Sequence, residues 1–294
     1  MLAALLLGIE FLQGGQAALA AADAETVPDK KPSWDVNKPP GVARTITLDT
    51  RTGTWMSVDV SPDGKSLVFD LLGDLYLLPM AGGDAKPLTH SIAWEHQARF
   101  SPDGKKIAFI SDAGGGDNVW VMNADGSEAR AISKEDYRLL NNPVWHPSGK
   151  YIAACKHYTG TRSAGSGEIW LYHLDGGKGL QLNEKPNWQK DLGEPALSPD
   201  GRFLYYSQDA TPGRTFEYNK DANKEIFKIF RQDLSDGSVE PFVQGPGGAV
   251  RPTPSPTNFP KLIRAAETNP NNRHQRTKQS ATPQPQTTGS HWQS

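Results

Sequence analysis

The chain has one cysteine, Cys155, so neither an intramolecular disulfide framework nor a Cys-cluster metal site can be built from it. It has no charge of one sign to spare: 31 Lys and Arg stand against 33 Asp and Glu, a net of −2. A nucleic-acid partner, which asks for a strongly basic face, is therefore not expected. It also lacks the apolar run of about 20 residues that a membrane-spanning helix needs. The run Met1–Ile9 ends at Glu10. None of the seven histidines falls in a His-x-His or His-Glu-x-x-His pattern, and no Gly-x-Ser-x-Gly elbow occurs, so no metallohydrolase or serine-hydrolase motif is present. No amphipathic helical stretch of useful length lies between residues 44 and 256. The chain is rich in turn formers instead, with 29 Gly and 23 Pro among 294 residues.

Those turn residues repeat. Val60-Ser61-Pro62-Asp63-Gly64-Lys65-Ser66-Leu67-Val68-Phe69 recurs as Phe100-Ser101-Pro102-Asp103-Gly104-Lys105-Lys106-Ile107-Ala108-Phe109. It recurs again as Trp145-His146-Pro147-Ser148-Gly149-Lys150-Tyr151-Ile152-Ala153-Ala154 and as Leu197-Ser198-Pro199-Asp200-Gly201-Arg202-Phe203-Leu204-Tyr205-Tyr206. The prolines lie 40, 45 and 52 residues apart. In each copy Pro presets the first corner of a turn, Asp or Ser tolerates the second, and Gly takes the left-handed position. Apolar side chains then alternate, as a strand requires. A second strand follows each copy: Asp74–Leu78, Asn118–Met122, Glu168–Tyr172 and Glu225–Ile229. Another Gly turn leads to a short strand around Pro87–Thr89, Arg130–Ser133, Leu180–Leu182 or Pro241–Val243. Four short antiparallel strands per unit at this period predict an all-β fold, a β-propeller of four-stranded blades.

The Ser-Pro-Asp-Gly-Lys turn, the Ile/Val-Trp strand after it and the Asp-Gly turn resemble the WD40-like β-propeller repeat of the TolB family, over residues 44–256. The same repeat serves TolB itself, prolyl oligopeptidase-type peptidases and exported amidohydrolases, so the resemblance implies fold more strongly than function. The acidic fourth unit and the run Gly245–Pro252 look most like the propeller half of propeller–amidohydrolase fusions. That likeness implies a non-catalytic interaction or scaffold module, the front of a larger exported hydrolase. The propeller part of a serine peptidase and a stand-alone TolB-like binding protein are the alternatives. The implied partner is a protein or the chain's own catalytic domain. No cofactor is expected here, since a divalent metal would belong to an amidohydrolase domain.

The two ends differ from the repeats. The apolar start and the small residues Ala17–Ala22 fit a signal peptide over 1–22, although no Lys or Arg precedes the apolar run. Residues 23–43, with Pro28, Pro32, Pro39 and Pro40, read as a linker, and export to the periplasm or outside is expected. At the other end Arg251–Pro256 leads into a fifth Ser-Pro, 57 residues after Pro199, but Thr257-Asn258-Phe259 replaces Asp-Gly-Lys. The expectation is four complete blades, an aborted fifth and an incomplete ring, with 257–294 a disordered, out-of-frame tail. That tail carries five basic residues against Glu267 alone, and from Thr268 onward its only aliphatic or aromatic side chains are Ala281 and Trp292.

The turn residues Pro62, Asp63, Gly64, Pro102, Asp103, Gly104, Pro147, Gly149, Pro199, Asp200 and Gly201 are structural in this reading, and no catalytic residue is assigned. His146, in the Ser position of a turn, is structural too. Cys155 lies in an apolar strand as a buried small hydrophobe. Thr159–Gly167 reads as a flexible loop and Asp112–Asp117 as an inter-strand turn. Trp94, Trp120, Trp145 and Trp170 suit inter-blade packing. Trp94-Glu95-His96 precedes a repeat strand and is the candidate ligand contact on one propeller face.

Overall fold

A computed structural model describes residues 35–42, 44, 46–47, 49–135, 139–158, 166–187, 189–213, 226–243, 248–255 and 266–267. The expected signal peptide lies outside the described residues, as do most of the 23–43 linker and nearly all of the 257–294 tail. Among the described residues no helix is long and apolar enough to cross a membrane.

Four four-stranded antiparallel sheets follow one another along the chain. The first holds β1 (Val58–Val60), β2 (Ser66–Leu71), β3 (Asp74–Pro79) and β4 (Lys86–Pro87). The second holds β5 (Glu95–Phe100), β6 (Lys106–Ser111), β7 (Asn118–Asn123) and β8 (Arg130–Ala131). The third holds β9 (Leu139–Trp145), β10 (Tyr151–Tyr158), β11 (Ser166–His173) and β12 (Leu180–Gln181). The fourth holds β13 (Leu192–Leu197), β14 (Phe203–Asp209), β15 (Phe227–Asp233) and β16 (Val239–Val243). Strand order in each sheet is sequence order. The first strands β1, β5, β9 and β13 pack in succession, which makes them the innermost strands. This is the blade arrangement of a propeller, and among the described residues the sheets do not close into a ring.

The repeated decapeptide builds one turn four times, between the first and second strands of each sheet. Gly64, Gly104, Gly149 and Gly201 adopt φ between 68° and 74°. Each donates its N–H to the residue three before it, Ser61, Ser101, His146 and Ser198 respectively, at 2.8 Å. The Ser hydroxyl donates to the turn Asp, 2.6 Å for Ser61–Asp63 and Ser101–Asp103 and 2.5 Å for Ser198–Asp200. It also accepts the N–H that opens the next strand, from Ser66, Lys106 and Phe203. In the third copy the His146 ring and the Ser148 hydroxyl, 2.8 Å apart, replace the Ser–Asp pair.

The aromatic residue seven positions after the turn proline meets a partner across the sheet. Phe69 lies opposite Tyr76, Phe109 opposite Trp120 and Tyr206 opposite Phe230, with ring centroids 5.5, 6.4 and 5.9 Å apart. The third copy has Ala154 there, opposite Trp170, and the Lys156 ammonium covers that indole 4.2 Å from its centroid.

The core lies between sheets. Alternate residues of β6 face opposite neighbours. Ile107 and Phe109 join Val68, Leu75 and Leu88 of the first blade, while Ala108 and Ile110 join Leu140, Trp145, Ile152 and Tyr172 of the third. Ala153 and Ile169 meet Leu197, Leu204 and Tyr206 of the fourth blade in the same way. A blade thus has no hydrophobic centre of its own and is stable only against a neighbour.

Two expectations are corrected. Ser166 and Gly167 are not loop. They belong to β11, paired with Tyr158 and His157, while 159–165 lie outside the described residues. Gly167 lets β13 approach so closely that a Cβ there would lie 2.2 Å from the Leu192 carbonyl oxygen. The third strand of the fourth blade runs Phe227–Asp233, starting two residues later than expected, because its register is set by pairing with Phe203–Asp209. Ala266–Glu267 (β18) pairs antiparallel with Ala249–Val250 (β17), and Ala249 packs with Ala196, Tyr205 and Ile229 of the fourth blade.

Candidate functional site

One position, five residues before Pro102, Pro147, Pro199 and Pro256, recurs on or just after the innermost strands. It is Gln97, Asn142, Glu194 and Arg251, and all four adopt a left-handed backbone with φ of 56°, 51°, 54° and 56°. Non-glycine residues take this conformation seldom. Here it goes with a β-bulge: the register of β5–β6, β9–β10 and β13–β14 shifts at this point. In three of the four a proline follows: Pro143, Pro195 and Pro252. A proline inside a strand is tolerated at a bulge, where no ladder donor is required.

The bulges tie neighbouring blades together through side chains. The Asp70 carboxylate accepts the Gln97 N–H at 2.8 Å and the Ser57 N–H at 3.1 Å. The Gln97 side-chain oxygen accepts the Asn142 N–H at 2.6 Å. Glu194 accepts the Arg251 N–H at 2.9 Å and its guanidinium Nε at 3.0 Å. At three junctions, first to second, second to third and fourth to fifth unit, a carboxylate or amide of one unit thus accepts the backbone N–H of the next unit's left-handed residue. Sequence reasoning missed this position, although the polar-Pro pairs Asn142-Pro143, Glu194-Pro195 and Arg251-Pro252, at one fixed distance before each turn, carried the signal.

Next to this rim, between the start of β5 and the segment before β1, is an open cavity of about 660 Å³ lined by Trp55, Asp70, Trp94, Glu95, His96 and Gln97 among others. Trp94, Glu95 and His96 thus line one cavity. Trp94 does not pack between blades as expected. It is 56% exposed, its ring rests on Gly73, where a Cβ would come within 2.9 Å, and its backbone N–H donates to the Asp112 carboxylate at 2.7 Å. Trp145, by contrast, is buried and donates its indole N–H to the Arg99 carbonyl at 2.9 Å. Glu95 is 4% exposed and accepts the Ser91 hydroxyl at 2.5 Å. Burial pushes its carboxyl above the usual range, and Asp74 and Asp112 add to that. Burial pulls the His96 imidazole down, against the opposing pull of Asp117, Asp70 and Asp112.

One arrangement looks like a nucleophilic site and is not. Cys155 Sγ lies 3.4 Å from His157 Nε2, and His157 Nδ1 lies 3.9 Å from Asp191. Cys155, however, is wholly buried, and burial first, then Asp191 and Glu194, push its thiol well up. A Cβ on Gly167 would sit 2.8 Å from the sulfur, so no substrate atom fits above it. An inaccessible thiol held protonated is inert. Among the described residues no group of three or more His, Cys, Asp or Glu could hold a metal ion.

Comparison with known proteins agrees with this architecture. Residues 52–253 match the family described as the Tricorn protease N-terminal beta propeller domain. A putative Tricorn-like protease C-terminal subunit of Sulfurisphaera tokodaii is 26% identical over 55% of this chain and 18% of its own length. The uncharacterized peptidase YuxL of Bacillus subtilis is 28% identical over 56% of this chain and 31% of its own. The chain therefore spans less than a third of either relative. In fold, the structure of a putative TolB from Agrobacterium tumefaciens superposes with a TM-score of 0.54 at 24% identity, covering 68% of this chain and 65% of that one. The four successive blades are those of a TolB-like propeller, and the chain belongs to the family of the Tricorn protease N-terminal beta propeller domain.

Proposed function

We propose that this chain is a recognition module of a peptidase-type hydrolase and has no reaction centre of its own. The observation that carries this reading is that its one thiol, although aligned with an imidazole and a carboxylate, is sealed under Gly167 and protonated, while the exposed chemistry is a cavity of indoles and carboxyls beside an ordered rim. Such a site binds and orients; it supplies no nucleophile. The names of the relatives, a protease subunit and a peptidase, favour a peptidase as the catalytic partner over the amidohydrolase suggested by the sequence, whether on the same polypeptide or a separate one. Export is the location that fits the apolar start and the small residues after it.

The test is direct. The purified chain, incubated with fluorogenic di- and tripeptide amides, is expected to release no fluorophore. Its thiol is expected to react with dithionitrobenzoate only after unfolding. Turnover that iodoacetamide or Cys155→Ala abolishes would overturn the proposal.

A further inference from the structure

We infer that the cavity beside β5 is a subsite for a cationic peptide side chain, a Lys ammonium or an Arg guanidinium. This deepens the reading above and rests on it. The cavity has two indoles, Trp55 and Trp94, and two carboxyl groups, Asp70 and Glu95, and no Lys or Arg among its described lining residues. Trp55 is fully exposed and holds φ of 62°, a backbone conformation with a steric cost for a bulky residue. An indole fully in water on a strained residue has no role in packing. Trp94 presents a second exposed ring, set against Gly73. Indole faces attract organic cations, and more strongly where water is partly excluded.

The carboxyl groups divide the work. Both Asp70 oxygens are occupied by the Ser57 and Gln97 N–H groups, so Asp70 contributes negative potential and a fixed geometry. Glu95 is different: it is 4% exposed, one oxygen accepts the Ser91 hydroxyl, and Oε2 is buried with no hydrogen-bond partner among the described residues. A buried carboxyl oxygen without a donor is costly, and a ligand N–H removes that cost. Asp74 and Asp112 also press on Glu95, a repulsion that an arriving cation relieves. Burial disfavours the charged form of neighbouring His96. The volume, about 660 Å³, is within the range that holds a side chain with its flanking peptide.

The experiment uses the full chain labelled with nitrogen-15, its tryptophan indole N–H signals, and three probes: acetyl-Ala-Arg-Ala-amide, acetyl-Ala-Leu-Ala-amide and acetyl-Ala-Glu-Ala-amide. Trp55→Phe and Trp94→Phe assign the two signals. The Arg peptide is expected to shift both in a saturable way and to bind at least tenfold more tightly than the other two. Glu95→Gln keeps an acceptor for Ser91 and is expected to weaken the Arg peptide about tenfold, with Trp94→Leu as a second variant that removes one wall. If the Leu or Glu peptide binds as tightly as the Arg peptide, the cationic subsite is wrong while the cavity remains a recognition site. If no peptide shifts either indole, both readings fall. Unchanged Arg-peptide affinity in both variants also overturns the assignment.

Discussion

The four turn glycines offer a comparison with built-in controls, because one repeated backbone sits in different surroundings. Gly64, Gly149 and Gly201 have φ of 71°, 68° and 74°, so alanine at any of them meets the same left-handed strain. That strain is roughly 1–2 kcal/mol, offset by about 0.4–1 kcal/mol because alanine restricts the unfolded chain. A loss of about 1 kcal/mol is therefore expected at Gly64 and Gly149, where an added Cβ meets nothing within 4 Å. Gly104, at φ 71° with Pro62 Cδ at an ordinary 3.4 Å, belongs with them. Gly201 is buried, and a Cβ there would lie 2.6 Å from His146 Nε2 of the preceding blade's turn. The His146 ring must move, forfeiting its 2.8 Å contact with the Ser148 hydroxyl. Loss of that hydrogen bond costs about 1 kcal/mol more, for a total of about 2 kcal/mol. Urea titrations of the four Gly→Ala variants read these differences directly, and adding His146→Ala should remove most of the Gly201→Ala excess. Equal losses at Gly64 and Gly201, or an excess that survives His146→Ala, would refute the stacking of one blade's turn on the next.

Other outcomes follow from the ion pairs and turn carboxylates. Lys156 Nζ lies 2.7 Å from Glu135 Oε1, with side chains 11% and 14% exposed. Lys156→Met strands a buried carboxylate and is expected to cost about 3–5 kcal/mol, and adding Glu135→Leu should recover most of it in a double-mutant cycle. Asp63, Asp103 and Asp200 are held below the usual carboxylate range, first by the Ser hydroxyl and then by a backbone N–H. A carboxyl whose folded pKa is depressed contributes stability above its unfolded value and loses it as pH falls through the folded one. The gap in melting temperature between the wild type and Asp103→Asn should thus be full at neutral pH and shrink below about pH 4. A gap that widens with acid would contradict the turn bonding.

Much of the blade was legible because its determinants are local. Pro62-Asp63-Gly64 and its copies specify a turn from three residues, and alternation such as Ile107-Ala108-Phe109-Ile110 specifies a strand buried on both faces. The inner rim was not read, because its determinant is a relation between blades: nothing within Gln97-Ala98 says that the Gln97 amide will accept an N–H from Asn142, 45 residues on. Trp94 was grouped with Trp120, Trp145 and Trp170 by recurrence, yet its neighbour Gly73 and its place ahead of β5 leave it in the open. The proximity of Trp55 to Trp94 depends on how the segment before β1 folds back, which no repeat encodes. The Cys155–His157–Asp191 alignment arises because i and i+2 share one face of a strand. Its burial depends on Gly167 and Leu192 from other strands.

The account turns on the inner rim, where a side chain of one unit accepts the N–H of the next unit's left-handed residue at three junctions, two of them beside the cavity. Hydrogen exchange of the Asn142 amide in Gln97→Ala measures it. Asn142 should exchange slowly in the wild type and at least tenfold faster in Gln97→Ala, while the Arg251 amide, bound to Glu194, keeps its protection. Fast exchange of Asn142 in the wild type, or no change on removing Gln97, would contradict the linkage.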